Sequence, residues 1–213
     1  MTNRPILWSF RRCPYAMRAR LAVQSSGIEV ELREILLKDK PQAFLDVSKS
    51  ATVPALKDTD TIIDESFDVM RWALAKSDPE GWLNMPAGWE DLIEECDGPF
   101  KAALDHTKYA VRYPDMDEAV ERAKASVFLR KLDAMLLDNK YLFGENPTLA
   151  DMAILPFVRQ FANTDRAWFD AQCWPHLIKW LDAFLDSAAF AGIMTKYTPW
   201  APDQEPVIFP SQP

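Results

Sequence analysis

The chain opens on a short apolar run, Pro5-Ile6-Leu7-Trp8-Ser9, which suits a buried strand. A helix is predicted to follow at once, because Pro14 stands well at a first helical position, Met17 and Leu21 lie one turn apart on one face, and Gly27 supplies a stop. Cys13 then falls at the N-cap. From Ile28 to Arg33 apolar and charged residues alternate, the period-2 pattern of a half-buried strand near a sheet edge. Pro41 to Val47 suits a short helix. Val53-Pro54-Ala55-Leu56 and Thr61-Ile62-Ile63, joined by polar Lys57 to Asp60, read as a hairpin. Pro54 belongs at the start or edge of its strand, where an X-Pro bond can be cis. Phe67, Met70 and Leu74 form the apolar stripe of a closing helix.

Periodicity lapses between Ser77 and Gly88, where two prolines and a glycine interrupt the chain. The boundary is therefore set there: residues 1–77 form one domain, 78–88 a linker, and 89–213 a helical domain with an irregular tail. Trp89, Leu92, Ile93 and Cys96 make a stripe that Pro99 should kink or end before Phe100, Ala103 and Leu104 resume it. Val120, Ala123, Val127 and Phe128, continuing to Leu132, Met135 and Leu136, predict a second long helix. Thr148-Leu149-Ala150-Asp151 opens a third with a capping box. Leu177, Trp180, Leu181, Phe184 and Leu185 supply a fourth, and the last eighteen residues are proline-rich and aperiodic.

Composition narrows the function. A net charge of -8 over 213 residues disfavours nucleic acid as a partner, since a phosphate backbone is bound by surplus Lys and Arg. No apolar run approaches a membrane span, and the first residues lack the features of a secretory signal, so a cytoplasmic location is expected. Three cysteines, Cys13, Cys96 and Cys173, offer no zinc spacing with His106 and His176 and should be thiols in a reducing compartment.

Cys13 gathers influences that lower a thiol's pKa: unpaired amides and partial positive charge at a helix start, with Arg11 and Arg12 adjacent. Cys13-Pro14-Tyr15-Ala16 lacks a second cysteine, so a mixed disulfide on Cys13 needs an external thiol to resolve it. Cys96 and Cys173 sit at apolar positions and are read as core. A binding surface for that thiol could come from Val53-Pro54, by pairing with an extended peptide, and from Glu65-Ser66 at a helix start; a plain hairpin followed by a capped helix accounts for the same residues equally well.

Taken in order, these pieces resemble the cytosolic glutathione transferases, and most of all the cysteine-containing omega-type group. Arg12-Cys13-Pro14-Tyr15-Ala16-Met17-Arg18 resembles the omega catalytic turn, Leu37 to Pro41 the loop whose last lysine reaches glutathione, Val53-Pro54 the cis-proline element, and Asp64-Glu65-Ser66 the γ-glutamyl-binding helix start. Gly144 to Asp151, with Ala153 and Pro156, is similar to the family's capping-box helix, in which Asp151 is structural.

The resemblance implies an α/β thioredoxin-like N-terminal domain with a mixed four-stranded sheet, followed by an all-α C-terminal domain. Cys13 would be the catalytic nucleophile. Tyr15, Lys40, Val53, Pro54, Glu65 and Ser66 would bind glutathione, the co-substrate, with no metal, and Tyr109 and Tyr113 would lie near the pocket for an electrophilic or disulfide second substrate. A homodimer is implied as well. The expected chemistry is reduction of mixed disulfides, dehydroascorbate or glutathionyl adducts. Ser9 is the nearest hydroxyl rival to Cys13, and glutathione conjugation or a non-catalytic binding role are the alternatives.

Overall fold

A parallel pair of strands needs a crossover, and the segment after the first strand has the composition of one. In the computed structural model, which describes residues 4–211, β1 (Ile6–Ser9) leads into α1 (Pro14–Ser26) and returns as β2 (Val30–Glu34), parallel to β1. Pro14 opens α1, and Gly27 ends it in the left-handed region at φ 70°, where a side chain would be strained. A single turn, α2 (Gln42–Leu45), precedes the hairpin of β3 (Ala55–Asp58) and β4 (Thr61–Ile63), with β3 antiparallel to β1. The Val53-Pro54 bond is cis, and Pro54 stands immediately before β3. α3 (Ser66–Lys76) packs against α1 and turns Val69, Met70, Ala73 and Leu74 inward. Phe67, expected on that stripe, is only partly buried.

The sheet has five strands in the order β4-β3-β1-β2-β5, one more than expected. β5 (Ile208–Phe209) comes from the proline-rich tail and pairs antiparallel with β2, so the tail is not irregular throughout and β2 is not an edge strand. The cause is that β2 presents unpaired backbone groups, and a short extended segment with an apolar face can cover them. Trp200 of the same tail meets Trp8 edge to face at 5.1 Å between ring centres, and the Arg33 guanidinium lies over both rings. α10 (Ala188–Ile193), not anticipated, packs on α1, where Gln24 Nε2 donates to the Ala189 carbonyl at 3.1 Å. One face of this unit is filled by Trp8, Ala16, Ile35, Phe44, Val53 and Ala55.

The chain divides into two compact units. The first holds the residues up to Gly81 together with those from Ser187 onward, and the second is Trp82–Asp186. The segment after Ser187, assigned from the sequence to the helical domain, thus groups with the sheet.

In the second unit, α4 (Trp89–Glu95) runs through a π-turn at Cys96–Phe100 into α5 (Lys101–Lys108). Pro99 lies inside that turn: it has no N–H to donate, and the widened turn absorbs the misfit without ending the helix. A 3₁₀ turn (Ala110–Arg112) leads towards α6 (Glu118–Met135), capped by the Asp117 carboxylate on the Ala119 and Val120 amides. The inward face of α6 is Ala125, Phe128, Leu129, Leu132 and, just past its end, Leu136; Val120, Ala123 and Val127, expected on the stripe, are exposed. α7 (Leu149–Ala162) begins at the Thr148/Asp151 capping box and continues through Pro156. α8 (Arg166–Asp170) and α9 (Pro175–Leu185) complete the unit, α9 burying Leu177, Trp180, Leu181 and Phe184. Cys96 is buried as expected, but Cys173, read as core, is exposed in the α8–α9 connection.

Candidate functional site

Cys13 stands at the N-cap of α1 with extended backbone (φ -75°, ψ 124°), directly before Pro14. The turn leading to it is short, closed by the Cys13 amide donating to the Phe10 carbonyl at 3.0 Å. The thiol is half-buried and approaches the Val53 carbonyl at 3.7 Å. It opens on a cavity of about 460 Å³ whose lining includes Tyr15, Lys40, Val53, Pro54, Glu65 and Ser66. Cys13 and the six residues expected to bind glutathione thus line one concave surface, although they come from the start of α1, the loop before α2, the approach to β3 and the start of α3; Tyr109 and Tyr113 are not in its lining.

Leu37, Ala51, Thr52 and Asp64 also line it; Leu37 and Asp64 belong to segments the resemblance marked, but none of the four was given a binding role. Asp64 braces the wall: its carboxylate accepts from Ser48 Oγ at 2.7 Å and from the Ser50 amide at 3.0 Å, tying the loop before Val53 to the residue before Glu65. Glu65 is the exposed N-cap of α3 and Ser66 its buried first residue. The first turn of α3 offers amide donors beside the cavity.

Behind the Cys13 turn lies a buried polar cluster. Ser9 is fully buried, and its hydroxyl accepts from Arg20 Nη1 at 2.7 Å. Arg20 Nη2 donates to the Arg11 carbonyl at 2.6 Å, and Glu34 Oε1 accepts the Arg11 amide at 2.6 Å. Arg20 and Glu34 face each other at 3.7 Å. Burial lowers the Arg20 guanidinium to about 10 despite Glu34, so it stays charged at neutral pH, and burial pushes the Glu34 carboxyl up despite the Arg11 amide and Arg20.

Ser9 thus has its hydroxyl engaged behind the turn and is absent from the cavity lining. The two arginines beside Cys13 are also occupied: Arg12 is exposed over the Phe10 ring at 5.4 Å, and Arg11 Nη1 reaches the Met194 carbonyl at 3.4 Å. Arg20 and Glu34 were missed. A signal existed, since continuing the alternation of Ile28 to Arg33 by one residue puts Glu34 on the apolar face, where an acid needs a buried partner.

Tyr109 and Tyr113 lie in the second unit, Tyr109 under the Arg112 guanidinium at 4.5 Å and Tyr113 edge to face with His106 at 4.5 Å. Among the described residues no group of three or more His, Cys, Asp or Glu could hold a metal ion, and no helix is long and apolar enough to cross a membrane.

The glutathione S-transferase N-terminal domain family matches residues 7–81, and the glutathione S-transferase C-terminal domain family matches residues 117–183. Among curated proteins, a probable glutathione S-transferase parA of Nicotiana tabacum is 24% identical over 199 residues, covering 87% of each chain. Mouse glutathione S-transferase omega-1 is 25% identical over 166 residues, covering 72% of this chain and 65% of its own. Among solved structures, glutathione transferase Omega 3C of Trametes versicolor superposes with a TM-score of 0.76 at 18% identity, covering 94% of this chain and 93% of its own. A Pseudomonas fluorescens glutathione transferase family member with two glutathione bound gives 0.75 at 20% identity, covering 90% and 92%.

Proposed function

The chain belongs to the glutathione S-transferase family, and within it we propose a glutathione-dependent thiol transferase or reductase that works through Cys13. What supports this reading is one observation above all: the half-buried Cys13 thiol, at a helix N-cap, opens on the cavity while the nearby Ser9 hydroxyl is held behind it by Arg20. The proposed occupant is glutathione. Its backbone would pair with Val53 beside the cis Pro54, its γ-glutamyl carboxylate would take the Ser66 hydroxyl and the first amides of α3, its amino group Glu65, and its remaining carboxylate Lys40, with Tyr15 against the peptide.

The reaction then runs in two exchanges. The Cys13 thiolate attacks the glutathione sulfur of a mixed disulfide, forming a Cys13–glutathione disulfide and releasing the other thiol as its thiolate. A second glutathione thiolate attacks that adduct, leaving oxidised glutathione and regenerating the Cys13 thiolate. In sum one reduced glutathione is consumed per mixed disulfide, and the products are the released thiol and oxidised glutathione. The reading extends to glutathionyl adducts of carbonyl compounds, which like mixed disulfides consume one reduced glutathione, and to dehydroascorbate, whose reduction consumes two, with the protein acting as a homodimer in the cytoplasm.

Intact mass after exposure to oxidised glutathione tests the reading. The wild-type chain is expected to carry one glutathione adduct more than Cys13→Ser, whose exposed Cys173 remains, and to release it on adding reduced glutathione. Absence of an adduct on Cys13 while glutathione still binds would overturn it in favour of conjugation by bound glutathione or a non-catalytic binding role.

A further inference from the structure

Two buried charges that thiol exchange itself does not use lie behind the Cys13 turn. Arg20 sits on α1 two turns beyond Cys13, fully buried, and its guanidinium joins two elements: Ser9 at the end of β1 and the Arg11 carbonyl in the turn. Glu34, the register partner of Ser9 across β1 and β2, takes the Arg11 amide. The Arg11 peptide, two residues before the thiol, is thereby gripped on both sides, its N–H by a carboxylate and its C=O by a cation. A guanidinium can do this because its donors diverge in a rigid fork, whereas an ammonium presents one point of charge. Such a pair is an expensive way to fill a core, since well-packed apolar residues of similar volume are commonly as stable or more so. Stability alone does not account for it.

We propose that Arg20 is a positioning residue for Cys13: it clamps the Arg11 peptide against the end of β1 and keeps a permanent positive charge behind the helix N-cap, holding the sulfur towards the cavity as thiolate. The proposal rests on the reading of Cys13 as the reacting thiol. The Arg20 guanidinium meets Ser9 from β1, Glu34 from β2 and the Arg11 carbonyl in the turn, and its charge interacts with Cys13 and Arg11 of the turn and Tyr197 of the C-terminal segment. The interaction with Cys13 works in both directions, because an ionised sulfur that favours charged Arg20 is itself favoured by that charge. Glu34 offsets part of this field, so the Cys13 environment reflects the balance of the pair.

The test is the rate of Cys13 alkylation by iodoacetamide against pH, followed at the Cys13 peptide by mass spectrometry so that exposed Cys173 does not interfere, with folding of each variant checked by thermal melting. Arg20→Met is expected to raise the midpoint of the rate profile by about one pH unit and to slow the reaction by about tenfold at pH values well below the wild-type midpoint. Arg20→Lys should recover part of that midpoint shift, keeping the charge and losing one of the two bonds. Glu34→Gln, which keeps an acceptor for the Arg11 amide, should move the midpoint down. A folded Arg20→Met protein with the wild-type rate and midpoint would overturn the proposal. Should Arg20→Met not fold, Glu34→Gln decides: a lower midpoint supports the proposal and an unchanged or higher one overturns it. Iodoacetamide needs no bound glutathione, so failure of the wild-type chain to take a glutathione adduct would count against thiol exchange and leave the positioning result intact.

Discussion

Asp151 carries four hydrogen bonds on one buried carboxylate: from the Thr148 amide at 2.9 Å and hydroxyl at 2.7 Å, the Leu142 amide at 2.8 Å and Trp180 Nε1 at 3.1 Å. The bond from the Thr148 amide is one half of the capping box that Thr148-Leu149-Ala150-Asp151 announces, the other half being the Thr148 side chain accepting the Asp151 amide; the bonds from Leu142 and Trp180 join residues farther along the chain and could not be read there. Burial pushes the carboxyl up, outweighing these donors. With the folded pKa above the unfolded one, the group's contribution is complete below the ordinary carboxylate range and is lost as pH rises through the folded value. Asp151→Ala leaves buried donors unpaired and is expected to cost about 3 kcal/mol near pH 5, the gap narrowing towards pH 8; denaturant midpoints at the two pH values check both the size and the sign. Cys13 was legible for a related reason, since a lone cysteine between arginines and a proline has no easy packing explanation. Arg20 was not, because an arginine within a helix reads as surface until its neighbours are known.

At the level of elements, local signals located α1, the hairpin and α7, each of which carries its own start or stop: Pro14 and Gly27, the polar turn after Leu56, and the box at Thr148. The stripe of α6 was misplaced in part: Val120, Ala123 and Val127 are apolar at helical spacing yet lie on the exposed face, while Phe128, Leu132 and Leu136 of the expected stripe, together with Ala125 and Leu129, meet the core. Spacing marks a face; it does not say which of two faces has a partner. β5 was missed for the opposite reason, being a two-residue strand with no pattern of its own that exists only because β2 offers an edge. Trp200→Ala is expected to lower stability by about 2 kcal/mol, since the half-buried ring covers Trp8 and Arg33. Ending the chain at Lys196 should cost more than that single substitution by also uncovering β2; thermal melts of the two variants beside wild type check the order, and a truncated chain that melts with wild type would show the tail to be dispensable.

On the scale of the whole molecule, the sheet-bearing unit is assembled from both ends of the chain, since the residues from Ser187 onward join those up to Gly81. The proposed homodimer belongs to this scale as well, and light scattering should give twice the 24.3 kDa mass of one chain; a mass of one chain at working concentrations would exclude it. By itself the sequence determined what depends on near neighbours: the alternation of strand and helix in the first part, the helical second part, the cap at Cys13, and the order of motifs that marks the family. Only the tertiary structure decided that the Cys13, Lys40, Val53-Pro54 and Glu65-Ser66 segments share one cavity, that Ser9 is withdrawn behind the turn, that Arg20 and Glu34 grip Arg11, and that the tail closes the sheet. The reason is physical: caps, turns and periodicity act within a few residues, whereas a buried charge or an unpaired edge finds its partner through the folded chain, at separations the sequence does not encode locally.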